Sequence, residues 1–487
     1  KTLISEQRFG EKVRSSPRTA GDFIAILDTF EGLTETLTLM RDLRFLGRYL
    51  PEFRSIQHLA RHDHYHKYTV DEHILTALRG LQDLRFGRYQ ALESQRQAFN
   101  GLKKRWVLVL AVLLHDLGKA YREDHDRKSA EIASGVLDRL SVHGEDRERV
   151  LFLVQHHQAM STLSQRRELG DAKVIADFAR LVGDRLNLDM LYLLTYADIA
   201  AVNPNAWTQW KASLLQDLYL RTVDSLEKKF ASAEDERARL EAAKQRVRRN
   251  AEERFSPEDI EAFIAVLPEK YLLTASLQKI MDHMDMMKRL PEEGIVLHHR
   301  HNIDRGYTEL TICAYDAYGM FYRAAGTLSS KNLNILRAQI FTTKNGIMLD
   351  TFHITDAEGN PNLYEETWWS VEEELRESLW KKKRPPERGT YAPPRSALPL
   401  VEPTVNFDNE SSDRFTIIDI TARDRIGLLY GITRTLYDLN LDIASAKINT
   451  EGEKVIDAFY IADLIGKKIT DPGRLERTRR ALLEVLR

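Results

Sequence analysis

Residues 106 to 119 read Trp106-Val-Leu-Val-Leu-Ala-Val-Leu-Leu-His115-Asp116-Leu-Gly-Lys119. An uninterrupted apolar run ends in a histidine and an aspartate side by side, followed by a glycine and a lysine. The run is long enough for a buried helix, although periodicity by itself also admits a buried strand. An imidazole and a carboxylate at the end of such a run are shielded from water. Each is costly there unless paired or bound to a metal. Neighbouring helical residues point about 100° apart, so His115 and Asp116 can both reach one ion lodged beside that turn. The plainer alternative is a His–Asp pair that closes a helix C-terminus.

Outward from this stretch, the same chemistry recurs at His73, His125, His156-His157 and Asp198. Imidazole nitrogen and carboxylate oxygen together suit Mn, Mg, Fe or Zn. Thr69 with Glu72 forms a capping-box pattern, which starts a helix at Val70 and puts His73 in its first turn. His62-Asp63 is another His–Asp pair, but it precedes that helix and lacks the apolar run, so it reads as an edge or capping pair. His64 and His66 read as surface loop. His125 falls in a charged loop, Tyr121 to Lys128. The next helices run from about Ser129 to Leu140 and from about Glu145 to His157, the second ending in Gln155-His156-His157. By position His157 is the ligand candidate and His156 its neighbour. Asp198 stands alone in the apolar helix Met190 to Val202, where a metal is a better partner than any lysine nearby in sequence. That helix stops before Asn203-Pro204, because proline bars continuation. The order His, His-Asp, His, His, Asp in a helix-rich region resembles the HD superfamily of metal-dependent phosphohydrolases, over about residues 60 to 220.

The chain has 487 residues, too many for one ordinary domain. Its net charge of -2 gives no basic signature for DNA, RNA or an anionic membrane surface. No apolar run approaches the roughly 18 residues of a membrane span, and no signal peptide is visible. Cys313 is the only cysteine, so no intrachain disulfide can form, which fits a reducing cytoplasm.

Residues 1 to 20 read as a polar lead-in with Ser15-Ser16-Pro17, and residues 22 to 50 as two helices ending before Pro51. This first part, 1–57, is a helical lead-in, and 58–220 is the region of the histidines and aspartates. Residues 221–295 form a charged helical connector in which Ser256-Pro257-Glu258-Asp259 starts one helix, with another from about Tyr271 to Met287.

The last third changes to strand-like alternation and contains a repeat. Glu309 to Gly319 matches Phe415 to Gly427, aligning Asp316 with Asp424. Asn332-Leu-Asn334-Ile335 matches Asn440-Leu-Asp442-Ile443, and the strand holding Asp350 matches the one holding Asp457. Each unit, 296–380 and 412–487, reads strand, helix, strand, strand, helix, which gives a small α+β sandwich of the split-βαβ kind. Between them lies a basic, proline-rich linker, 381–411, read as a semi-rigid spacer. At the two strand-to-helix turns, glycine permits close backbone approach and the helix N–H groups can hold a carboxylate. Asp424, or Asn334 and Asp442, can take an ammonium. Such a site suits a free amino acid; the alternative is an ordinary turn. The motif Asp424-Arg425-Ile426-Gly427-Leu-Leu with a paired repeat resembles the ACT ligand-sensing domain. The first unit, Asp316-Ala-Tyr-Gly319, departs from it at the arginine position.

The fold class expected is therefore multi-domain: an all-α HD domain, a helical connector, and two α+β ferredoxin-like ACT domains. With Tyr68-Thr-Val-Asp-Glu-His73, Leu114-His-Asp-Leu-Gly-Lys119 and Tyr196-Ala-Asp198…Asn203-Pro-Asn-Ala-Trp207, the chain is similar to the bifunctional uridylyltransferase/uridylyl-removing enzymes of bacterial nitrogen regulation. It departs from them in lacking the Gly-Ser turn and paired aspartates of a nucleotidyltransferase, so residues 1 to 50 read as the tail of such a region and transferase activity is not expected. The resemblance implies hydrolysis of a uridylyl-tyrosine on a PII signal protein, releasing UMP, under glutamine control. It implies one divalent ion (Mn or Mg, with Fe or Zn as alternatives) on His73, His115, Asp116 and Asp198. A second would sit on His125 and His157, with Asp116 shared and Lys119 over the phosphoryl group. Glutamine would bind at Asp424, Arg425, Ile426, Gly427, Asp442 and Ile443, or at Asp316, Gly319, Asn334 and Ile335. Two other classes stay open: an HD hydrolase of a small alarmone nucleotide under amino-acid control, and a non-catalytic sensor. ACT units pair side by side, within a chain or between chains of an oligomer.

Overall fold

The computed structural model describes residues 10–60, 68–87, 93–121, 124–203, 206–227, 233–267, 271–272, 275–361, 365–380, 401–425, 427–451 and 454–486. Contacts divide the chain into two units. The first comprises 1–164 and 175–226, the second 165–174 and 227–487. His62, Asp63, His64 and His66, most of the linker after Trp380, and Ile426 lie outside the described residues.

The first unit is helical. Its longer helices are α1 (Pro17–Asp28), α2 (Leu33–Asp42), α3 (Val70–Arg85), α4 (Glu93–Gly101), α5 (Arg105–Leu114), α6 (His125–Arg139), α7 (Gly144–Gln155), α8 (Ala159–Arg166), α9 (Ala172–Val182), α10 (Arg185–Val202) and α11 (Gln209–Glu227). The opening stretch is not all lead-in: α1 starts at Pro17 with Ser16 in the N-cap position. Proline at the first helical position loses no hydrogen bond, so Ser-Ser-Pro starts a helix here. The apolar run is α5, buried from Val107 to Leu114 and packed by α1, α3, α7 and α10. A helix apolar all round belongs at the centre of a bundle. His115 ends it, and Asp116 precedes a single tight turn, Leu117–Ala120. Helix α3 does begin at Val70, although Thr69 makes no side-chain capping bond.

In the second unit, α12 (Ala233–Ala251), α13 (Pro257–Val266) and α14 (Leu277–Glu293) precede the sheet. Ser256 caps α13 as its sequence suggests, accepting from the N–H of Asp259. The strands are β1 (Ile295–Asn302), β2 (Tyr307–Tyr315), β3 (Asn334–Gln339), β4 (Ile347–Thr355), β5 (Thr404–Asp408), β6 (Thr416–Arg423), β7 (Leu441–Lys447), β8 (Thr450–Glu451) and β9 (Lys454–Asp463). Helices α15 (Met320–Ser330) and α16 (Glu365–Trp380) belong to the first repeat, α17 (Leu428–Asp438) and α18 (Pro472–Leu486) to the second. Each repeat adds to the expected order a strand at its start, β1 or β5. One antiparallel sheet runs β1-β2-β4-β3-β7-β9-β6-β5, with β8 on β9.

The repeats join through β3 and β7, where Arg337 faces Lys447, Ala338 faces Ala446 and Gln339 faces Ser445. Side-by-side pairing therefore occurs within the chain. Backbone detail repeats as well. Asn332 and Asn440 both take left-handed φ, at 57° and 55°. Asp350 and Asp457 are both buried and accept the N–H groups of Phe341 and Asn449. Burial pushes both carboxyls up, Asp457 to about 8.

The segment 165–174 joins this unit through polar contacts to both repeats. Arg167 donates to both oxygens of Asp419 at 2.7 and 2.9 Å, and to Asp408 at 3.1 Å. Glu168 pairs with Arg337 and accepts from Ser445 Oγ at 3.0 Å. Burial would raise the Glu168 carboxyl, but Arg337 and Lys447 hold it far below the usual carboxylate range. A depressed carboxyl stabilises the fold above its unfolded pKa and loses that contribution as pH falls towards the folded one. Glu168→Ala should therefore cost about 2–3 kcal/mol near neutral pH, mostly by removing the buried carboxylate that Arg337 and Lys447 face. Chemical denaturation should show the deficit shrinking in acid.

Candidate metal centre

Four helices and one loop bring the six sequence-derived candidates together. His73 comes from the first turn of α3, His115 and Asp116 from the end of α5, His125 from the start of α6, His157 from just beyond α7, and Asp198 from α10. Among the described residues, three groups offer ligand atoms all within 4.8 Å of one another: His73/His115/Asp116, His115/His157/Asp198 and Asp116/His125/His157. Asp116 belongs to two of these groups. His156 is not in any of them and rests its ring on Phe152, 5.0 Å between centroids.

Distances within the cluster are short. His73 Nε2 lies 2.9 Å from Asp198 Oδ1 and 3.6 Å from Asp116 Oδ2. His115 Nε2 lies 3.3 Å from Asp116 Oδ2 and 3.6 Å from Asp198 Oδ1. His157 Nε2 lies 3.9 Å from Asp116 Oδ1. His73, His115, Asp116 and His157 are each no more than 1% exposed.

Two imidazoles are held by the same device. His115 Nδ1 faces Val112 O at 2.8 Å, and His157 Nδ1 faces Val154 O at 2.8 Å. In each case the carbonyl three residues back accepts the Nδ1–H, which turns Nε2 inward. Backbone orientation of this kind fixes the tautomer of metal-ligating histidines.

A divalent ion fits this donor set. His115 Nε2 and Asp116 Oδ1 are buried and have no hydrogen-bond partner, an expensive state unless a cation satisfies them. The electrostatics agree. Burial would lower His115, yet Asp116 and Asp198 raise it to about 10. Burial would raise both carboxylates, yet His115 and its neighbours hold them well below the usual range. A buried carboxylate, Asp116, and a partly exposed one, Asp198, thus call for positive charge at this point. Lys119 supplies some, its Nζ 2.7 Å from Asp116 Oδ2.

Two features escape the sequence. Gly118 lets α6 sit against the turn that follows Asp116: a Cβ there would lie 2.2 Å from His125 O and 2.7 Å from Ser129 N. Its N–H donates to Ser129 Oγ at 2.9 Å. Asp126 also faces the cluster, 3.6 Å from His157 Nε2. An acid next to His125 in a charged loop gave no signal to separate it from surface charge.

The two ACT-like turns differ. Gly319 and Gly427 both have positive φ, 87° and 81°. A Cβ on Gly319 would strike Tyr437 at 2.6 Å, whereas one on Gly427 meets nothing within 4 Å. Tyr318 stacks on Tyr437 at 4.4 Å and donates its hydroxyl to the Tyr437 carbonyl. The first turn is covered by tyrosine; at the second, no described residue comes within 4 Å of that position. Around them, Asp316 accepts from Thr342 Oγ1 at 3.2 Å, Asn334 donates to Asp356 O at 2.9 Å, and Arg425 donates to Val485 O. Ile335 and Ile443 are buried in the core between sheet and helices. Burial raises Asp424 and Asp442, and Asp316 raises Asp442 further.

A family model described as HD domain matches residues 84–287, and one described as ACR9-like, ACT-like domain matches 404–487. An enzyme of Azospirillum brasilense is 35% identical over 98% of this chain and 52% of its own length. One of Rhodopseudomonas palustris is 35% identical over 98% and 52%, and one of Gluconobacter oxydans 33% over 99% and 52%. Its relatives are bifunctional uridylyltransferase/uridylyl-removing enzymes. The chain spans about half the length of these relatives. The HD match starts after His73, so that ligand candidate rests on geometry alone: α3 packs along α10 and sets His73 on Asp198.

Proposed function

We propose that the chain is a metal-dependent phosphodiester hydrolase that removes uridylyl, as UMP, from a tyrosine of a PII-type signal protein. The observation that supports it most is the convergence of His73, His115, Asp116, His125, His157 and Asp198 around buried, unpartnered acceptor atoms. A divalent ion bound there supplies a water that ionises near neutral pH and positive charge against phosphoryl oxygens. The chain's own residues do the rest. His73, His115, Asp116 and Asp198 would hold one ion, and His125 and His157 with Asp116 would hold a second where two bind. The carbonyls of Val112 and Val154 keep two imidazoles in the ligating tautomer. Lys119, 16% exposed and 2.7 Å from Asp116, would add positive charge beside the phosphoryl group.

In this reading glutamine binds the ACT-like pair and raises hydrolysis, and the turn at Gly427 is the better seat for it. A substrate panel tests the assignment. Uridylylated PII protein should be turned over, and free nucleotides such as guanosine tetraphosphate should not. Turnover of the free nucleotide alone would transfer the site to small-nucleotide hydrolysis. Calorimetry should show glutamine binding; silence with both repeats folded would remove the sensor.

A further inference from the structure

Asp126 is the second residue of α6. Its Oδ1 lies 2.9 Å from His125 Nε2 and 3.6 Å from His157 Nε2, and this buried oxygen has no hydrogen bond of good geometry. Capping does not explain it, because Asp124 caps α6 by accepting the N–H groups of Asp126 and Arg127. His157 Nδ1 donates to Val154 O, which turns its Nε2 towards Asp126. The Asp126 oxygen therefore lies against the imidazole nitrogens of two ligand candidates without a well-formed hydrogen bond to either. A buried carboxylate oxygen in that position is costly unless a cation satisfies it.

We infer that Asp126 is a fourth ligand of a second divalent ion, beside Asp116, His125 and His157. The inference rests on the metal-centre reading above. Charge supports it. Without Asp126, two divalent ions would share only Asp116 and Asp198 as anionic ligands, and Asp116 would serve both. A third carboxylate offsets the second ion and adds the oxygen donor that Mn and Mg prefer.

The test is Mn²⁺ binding to the full chain by equilibrium dialysis with elemental analysis. The wild type should bind two ions. Asp126→Asn, which keeps the shape and removes the charge, should bind the first unchanged and the second at least about tenfold more weakly. Asp126→Glu should recover part of the loss, and circular dichroism should show all three proteins folded alike. Two ions bound by Asp126→Asn with unchanged affinity would overturn the inference. So would a single ion in the wild type, which would leave the metal centre itself standing. A wild type that binds no ion would overturn both readings.

Discussion

Asp116→Ala should release the bound metal and reduce UMP release by about 10³-fold or more, equivalent to about 4 kcal/mol of barrier. Asp116 sits in two of the three ligand groups, so its loss damages both ion positions at once. The helical unit should stay folded, because the bundle is built on α5, buried from Val107 to Leu114, rather than on the polar residues at its end. Alanine also leaves Lys119 without its 2.7 Å partner, so Asp116→Asn is the companion variant: it keeps the volume and removes the charge. Metal content, circular dichroism and UMP release, taken together, check the prediction. Full activity in either variant would end the metal assignment.

Gly118→Ala should be the most damaging single-methyl change near the site. The new Cβ would meet backbone on two sides, His125 O at 2.2 Å and Ser129 N at 2.7 Å, so no side-chain rotation relieves it. Either the turn after Asp116 or the first turn of α6 must move. We expect a loss of about 3 kcal/mol in stability, together with weaker binding of the ion that His125 holds. Thermal unfolding and metal titration of the same preparation measure both. A variant with wild-type melting and two tightly bound ions would show that α6 does not depend on that close approach.

The candidate His/Asp cluster was legible because its residues break strong local patterns. His115-Asp116 interrupts an apolar run, Asp198 stands alone in another, and His73 follows a helix-start signal. The two α+β repeats were legible from paired motifs, down to Asn332 and Asn440, which share a left-handed backbone. The rest depends on contacts distant in sequence. Glu168 meets Arg337 and Ser445, and Tyr318 meets Tyr437, across separations that no local pattern encodes. Asp126 was hidden for a different reason: a charged residue in a charged loop looks like solvated surface until His157 is placed beside it. At Ser16-Pro17 the helix-start signal is present but is hidden in a polar lead-in, because the same residues start helices and end loops.

The most direct test is UMP release from a uridylylated PII protein, measured with Mn²⁺, after chelation, and after Mn²⁺ is restored. The account predicts release with the metal, none after chelation, and recovery on its return. Release that persists unchanged in the chelator would contradict it, as would a metal-loaded protein that leaves the uridylyl-tyrosine intact.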